Sequence, residues 1–327
     1  MDAPQWSQVV REDSAVDGHR NRYGVGAVVL ALFFFIVAWV VAQRAKPPPP
    51  ERATGLDRAL AVEESSAVKL FTVDAFAAAP FTGNPAGVCL LDEPRPDAWM
   101  LSVAAELGYS ETAFLLRDGG SLGLRWFTPT VEVDICGHAT LAAAHVLFEL
   151  GEKGPELVFA TRSGELGARR DGDHVVIDLP ARQLTQIPEP AGLREILGLT
   201  PSFVGQCEAT WLAVLPDAGA VRSLLVDLAA VAELPITSLI LTAEGEPGGD
   251  YDIVSRYFRP IDGIPEDPVT GSAHCLLGPY WGARLGKSDL VAFQASRRGG
   301  SLVVRMRGSR VELAGRAFTI LRGELLA

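Results

Sequence analysis

Cysteine is scarce: there are four in 327 residues, Cys89, Cys136, Cys207 and Cys275, and no two lie close in sequence. That excludes a disulfide framework and offers no CxxC zinc spacing. The five histidines form no HExxH or comparable ligand run, so no metal is expected. Basic residues are also in deficit, 29 Lys and Arg against 40 Asp and Glu, for a net charge of −11. Without a concentrated basic stripe, nucleic acid is not the partner, because phosphate binding needs clustered Lys and Arg. What is plentiful is apolar: 48% hydrophobic against 21% charged residues describes a packed core, not a disordered chain. The scattered thiols suit a reducing compartment and are also compatible with an extracytoplasmic domain.

One long stretch lacks charge altogether. Tyr23 to Ala42 is 20 residues of Gly, Ala, Val, Leu, Phe, Ile and Trp after the leading Tyr. As a helix it would reach about 30 Å, the thickness of a bilayer's hydrocarbon core. Arg20 and Arg22 before it and Arg44 after it would sit among headgroups. The reading adopted is a single-pass N-terminal membrane anchor. A cleaved signal peptide is an alternative, with Val40 and Ala42 resembling a small-residue cleavage site, although the run is long for one. A misassigned start is another, leaving a cytoplasmic protein, because enzyme-like sequence begins only at Val68.

The expected organisation is a polar tail (1–22), the hydrophobic helix (23–42), a Pro-rich link (43–67) and a folded unit in two parts (68–185 and 186–327). Pro47 to Pro50 make the link a semi-rigid extended spacer. In the folded unit strand and helix signals alternate. Strands are predicted at Lys69–Phe76, Ala86–Leu91, Thr112–Leu116 and Leu122–Thr128, with helices at Asp97–Leu107 and Ala139–Leu150. Hairpins follow over Leu157–Leu179, turning at Ser163-Gly164 and Asp171-Gly172-Asp173. The second part repeats the plan: strands at Trp211–Leu215, Ser238–Thr242 and Asp252–Phe258, helices at Leu193–Leu197, Ala218–Ala232 and Ala273–Leu285, and hairpins over Leu290–Ile320.

The repetition extends to motifs. Arg125-Trp126-Phe127-Thr128-Pro129 is echoed by Arg256-Tyr257-Phe258-Arg259-Pro260. In each part a loop then leads into a small-residue helix start, Gly137-His138-Ala139-Thr140 and Gly271-Ser272-Ala273-His274. A repeat of this length is a duplicated domain, and ligands favour the cleft between such halves. A helix N-terminus presents free N–H groups and a positive dipole end, which attract a carboxylate. Two of them facing one cleft would grip a small acidic molecule; otherwise the two glycines are turn residues beside ordinary caps.

Other candidates are weaker on their own. Glu111, in Ser110-Glu111-Thr112, stands at a helix–strand junction; if partly buried its pKa would rise toward neutrality, where it can take and give protons. Asp267 precedes the second helix start and either orients its loop or serves the site. His138 can be a donor to substrate, a second proton carrier or a polar cap. His145 and His274 read as packing or surface groups, and Asn84, in Phe81-Thr82-Gly83-Asn84-Pro85-Ala86, fits a turn.

Taken in order, Phe-Thr-Gly-Asn-Pro-Ala, Ser-Glu-Thr, Arg-Trp-Phe-Thr-Pro with Cys-Gly-His-Ala-Thr, and Asp-Pro-Val-Thr-Gly-Ser-Ala resemble the PhzF-like family of phenazine biosynthesis, over Val68 to Ala327. The resemblance implies an α+β fold of two pseudo-symmetric diaminopimelate-epimerase-like halves, each a curled, mainly antiparallel sheet around a central helix. It implies a cofactor-free isomerase, usually a homodimer, in which Glu111 moves a proton between carbons of a small carboxylate-bearing substrate. Gly137, His138, Asp267 and Ser272 would hold substrate and assist the proton, with Gly271 and Asn84 in the same site. Two alternatives stay open at this point: a cysteine-based racemase or epimerase using Cys136, and a membrane-tethered binding protein without turnover.

Overall fold

Val68–Ala75 (β1) runs VKLFTVDA; Phe71, Val73 and Ala75 share the face laid on the core, and Thr72 and Asp74 on the other face are buried as well. The computed structural model that shows this describes residues 67–326. Antiparallel to β1 lies Asn84–Leu91 (β2), and a helix, Asp97–Leu107 (α1), then crosses to the parallel strand Thr112–Asp118 (β3). Ser121–Phe127 (β4) pairs antiparallel with β3 and with the short Glu132–Val133 (β5). The helix Gly137–Glu149 (α2) leads to Glu156–Thr161 (β6), parallel to β4, and to the antiparallel strands Gly164–Asp171 (β7) and His174–Pro180 (β8).

The same pairings then recur. Phe203–Cys207 (β10) is antiparallel to Thr210–Val214 (β11), which is parallel to Ser238–Glu244 (β12). Ile253–Arg259 (β13) pairs antiparallel with β12 and with Ile264–Asp267 (β14). After the helix Gly271–Leu285 (α6) comes Asp289–Gln294 (β15), parallel to β13, then the antiparallel strands Gly300–Arg307 (β16) and Arg310–Gly315 (β17). Strand for strand, β2–β3–β4–β5–β6 matches β11–β12–β13–β14–β15.

The repeats are stitched together at three places. β8 pairs antiparallel with β17. The closing strand of each repeat joins the opening strand of the other: Ala317–Leu325 (β18) lies on β1, and Thr185–Gln186 (β9) lies on β10. Among the described residues the result is a single mixed sheet of 18 strands with few helices.

Both central helices are largely apolar, and α2 has almost no solvent face, whereas the last turn of α6 exposes Ala283 and Arg284. In α2 every residue from Gly137 to Phe148 is buried except His145, and it packs on β1, β2, β3, β7, β8 and β18. In α6 the buried set runs through Ala273, Leu276, Leu277 and Trp281 against β15, β16 and β17. Both begin at their glycines, two residues earlier than the apolar runs suggest.

Two expectations need correction. The single helix over Ala218–Ala232 is two short ones, Ala218–Ser223 (α4) and Leu228–Ala232 (α5), following the helix Leu193–Leu197 (α3). Leu224 turns extended, and the Asp227 carboxylate accepts from the N–H groups of Ala229 and Ala230, starting a new helix where a continuous one would need Asp227 inside it. Membrane placement is also not upheld: among the described residues no helix is long and apolar enough to cross a membrane. The Tyr23–Ala42 run lies outside the described residues.

Candidate active site

The first turns of α2 and α6 meet. A Cβ added to either Gly137 or Gly271 would stand 3.3 Å from the other's Cα, tighter than ordinary van der Waals contact, so glycine at both positions lets the two backbones lie this close without either giving way. Neither helix start is capped by a side chain, and neither carries an acid in its first turn. Two uncapped N-termini therefore converge on one wall of a cavity of about 570 Å³, whose lining also includes Glu111, Cys136, His138, Asp267 and Ser272.

Asn84 is the hub beneath this wall. Fully buried, its Nδ2 donates to Asp267 Oδ1 (2.9 Å) and to the Val269 carbonyl (2.9 Å) and lies 3.2 Å from His138 Nδ1. Gly83 places it, in the left-handed region at φ +70°. The Gly83 N–H donates to the Gly299 carbonyl (2.7 Å), and its own carbonyl accepts from Arg298 Nε (2.8 Å). Arg298 also reaches Asp74 (2.7 Å), whose second oxygen accepts the N–H of Phe81, itself held at φ +70°. Asp267 accepts from the Thr270 hydroxyl as well, and the Gln294 amide clamps the loop from below, donating to the Asp267 carbonyl and accepting from the Thr270 N–H.

Asn84 spends its two amide protons on Asp267 and Val269, which leaves His138 Nδ1 as an acceptor facing Cys136 Sγ at 3.6 Å. Nε2 then carries the ring proton. It stands 3.5 Å from Glu111 Oε2, too far for a firm hydrogen bond, and is buried without another partner among the described residues. An orphaned donor beside a carboxylate at a cavity wall is ready for a ligand's oxygen.

Burial dominates the electrostatics. It raises the Glu111 carboxyl above its ordinary value, against the pull of Ser110, Cys136 and the Arg259 charge. It raises Asp267 to about 6, with the neighbouring Glu111 charge adding to the rise. It lowers His138 to about 4, so the ring is neutral near pH 7. The Cys136 thiol is pushed well above the ordinary range by burial and then by Glu111, which leaves it protonated and a poor base.

Superposing the repeats by their strand pairings separates scaffold from chemistry. Arg125 grips Glu132 with two bonds (2.7 and 2.7 Å), and at the matching place Arg256 grips Glu266 (2.6 and 3.0 Å); both pairs brace the turn before the helix start. Trp126 pairs across to Val133 and Tyr257 across to Asp267, so Cys136-Gly137-His138 matches Thr270-Gly271-Ser272. The partner a two-thiol mechanism would require at the position of Thr270 is a hydroxyl. Thr128 matches Arg259, a cation on the cavity wall at a position where the first repeat has a hydroxyl. Sequence reasoning missed Arg259, Thr270 and Gln294; for Arg259 the signal was present, as the one charge-changing position between the paired motifs.

His274, read as packing or surface, is fully buried on α6 and donates from Nδ1 to the Thr270 carbonyl (2.8 Å). Burial lowers it to about 4 from the ordinary 6.5. Between those values the unfolded chain binds a proton that the fold refuses, so this ring's contribution to stability is lost as pH falls through the window. Asp267, raised, acts in the opposite sense between 3.8 and about 6. His274→Asn keeps a donor for Thr270 and removes the titration. The fall in urea-unfolding free energy between pH 7 and pH 5 is expected to be about 1–2 kcal/mol smaller in this variant than in the unaltered protein.

Comparison with known proteins agrees with this geometry. Residues 73–323 match the family model described as phenazine biosynthesis-like protein. An uncharacterised isomerase of Pseudomonas aeruginosa is 47% identical over 254 residues, covering 77% of this chain and 96% of that one. A crystal structure of a PhzF-family phenazine biosynthesis protein from Enterococcus faecalis superposes with a TM-score of 0.76 at 38% identity, over 80% of this chain and 99% of that one. A hydroxyproline epimerase of Agrobacterium vitis shares the fold alone, with a TM-score of 0.54 at 13% identity over 80% of this chain and 93% of that one. The chain belongs to the phenazine biosynthesis-like family of isomerase-type enzymes.

Proposed function

We propose that this protein is a cofactor-independent isomerase that moves a proton between carbons of a small carboxylate-bearing metabolite, with Glu111 as the proton carrier. The observation that supports this most is the placement of one half-buried, pKa-raised carboxylate beside two uncapped helix N-termini in one cavity. The two halves, 68–185 and 186–327, each supply one of those N-termini from a central helix inside a curled, epimerase-like sheet.

The substrate carboxylate sits at Gly137 and Gly271–Ser272, where dipole ends and free N–H groups hold it. Glu111 takes a proton from an acidic C–H. The developing enolate-like charge is met by the same N–H groups and by the orphaned His138 Nε2–H. Glu111 then returns the proton at another carbon. Asp267 and Asn84 act by holding the loop at the head of α6, and Arg259 lies where a second anionic or polar group of the substrate would reach.

Cys136 lies in the same cavity, but its raised pKa and its match to Thr270 argue against a thiol as acid or base. The test is exchange in heavy water, with the full chain and metabolites captured on it. Deuterium is expected to enter the bound ligand at carbon, and Cys136→Ser is expected to keep the rate within about tenfold. A rate reduced in Cys136→Ser by the 10²–10⁴-fold that a lost acid/base group costs would transfer the role to the thiol.

A further inference from the structure

The two proton-carrying candidates and the neighbouring thiol form a constellation with a second capacity. Glu111, Cys136 and His138 each offer a donor atom, and the three atoms lie within 4.8 Å of one another. One ring nitrogen serves one ion, and the nitrogen without the proton is Nδ1: Cys136 Sγ stands 3.6 Å from it, while Glu111 Oε2 lies 3.5 Å from the opposite nitrogen, Nε2. Ligand atoms around a tetrahedral zinc ion, at 2.0–2.3 Å from the metal, stand about 3.3–3.8 Å apart, so the Cys136–His138 separation already suits an ion and the Glu111 carboxylate has to swing toward it. Nε2, a buried polar atom with no hydrogen-bond partner among the described residues, imposes no competing contact on a ring turned toward a metal.

The geometry points to a binding site for a zinc-class divalent cation at Glu111, Cys136 and His138, which switches the enzyme off when filled. The donor set of one sulfur, one imidazole nitrogen and one carboxylate oxygen is what a borderline-soft ion prefers over magnesium or calcium. Three protein ligands leave a fourth position facing the 570 Å³ cavity, open to water. On binding, the thiol gives up its proton to solvent and joins the metal as thiolate. The Glu111 carboxylate is then committed to the metal and can no longer carry a proton; this inhibitory clause rests on the function proposed above, whereas the site does not. Spacing alone conceals it, because Glu111 is 25 positions before Cys136.

Cadmium is the probe, since a Cd–thiolate bond gives an ultraviolet charge-transfer band. The full chain is expected to bind one Cd²⁺ with that band, and Zn²⁺ is expected to compete for it. Cys136→Ser should lose the band with its circular dichroism unchanged, and Cys207→Ser should keep it. Glu111→Gln, which preserves shape at a partly accessible position, should weaken binding by at least the roughly 10- to 100-fold that ligand-supporting groups command. A band that survives in Cys136→Ser, or affinity unaltered in Glu111→Gln, overturns the site. Stoichiometric binding that leaves heavy-water exchange running at full rate would uphold the site and count against Glu111 as the proton carrier.

Discussion

Glu111→Gln is expected to lower the rate of heavy-water exchange by about 10²–10⁴-fold while leaving ligand affinity within a few-fold, the signature of a lost proton carrier. Glutamine fills the same volume and keeps an oxygen toward His138, so the cavity and the helix N-termini that hold the carboxylate are untouched. What it cannot do is accept a proton from carbon. The loss should therefore appear in kcat and not in KM. Burial raises the Glu111 pKa, so the active base form is populated only above that raised value, and exchange should climb with pH through it before levelling. The same burial makes the ionised carboxylate a liability to the fold at neutral pH. A group whose folded pKa is raised lowers stability once pH exceeds it, and Glu111→Gln should consequently melt higher than the unaltered protein. A structural role would predict the reverse, unaltered exchange with a lower melting point. Exchange within about tenfold of the unaltered rate, measured on a ligand that still binds, would remove Glu111 from the mechanism.

Much of this arrangement was legible in the residues because duplication leaves the same chemistry twice. Arg125-Trp126-Phe127 and Arg256-Tyr257-Phe258 are strands with matching ion pairs, and Gly137 and Gly271 announce matching helix starts. Short apolar strands bounded by Gly and Asp turns were placed within a few residues. What could not be read has a common cause: it depends on who meets whom across the fold. The two residues of β9 carry no periodicity, yet they join the repeats through β10. Gln294 and Arg298 sit at a strand end and in a turn in sequence, but in space they clamp Thr270 and Gly83. Asn84 looked like turn chemistry and is a buried hub, because Gly83 turns it inward toward Asp267, 183 positions away. The break between α4 and α5 hinged on whether Asp227 would start a helix or sit inside one, a choice that local propensity does not decide.

That hub makes Gly83→Ala a substitution with a large expected effect on stability. At φ +70° an alanine pays left-handed strain of about 1–2 kcal/mol, and its Cβ would lie 2.3 Å from the Ala75 carbonyl oxygen and 2.9 Å from Ala77 Cα and Cβ. Those are backbone or near-backbone neighbours in β1 and the turn after it, so they cannot rotate away, and overlap of this kind costs about 1–3 kcal/mol more. The sum, about 2–5 kcal/mol, corresponds to a fall of about 4–20 °C in Tm for a folded unit of this size. Gly108→Ala is the matched control: it also has a left-handed backbone, at φ +68°, but a Cβ there meets nothing within 4 Å, so it should lose only the strain contribution. Relief of the overlap has to displace Asn84, the next residue, which loosens its grip on Asp267 and the Val269 carbonyl at the head of α6. Exchange activity should therefore fall in Gly83→Ala below its own melting point and stay near normal in Gly108→Ala. Equal melting points and equal activities for the two variants would mean that Asn84 is not positioned through Gly83, and the linkage from the Phe-Thr-Gly-Asn-Pro-Ala turn to the Asp267 carboxylate would fail with it.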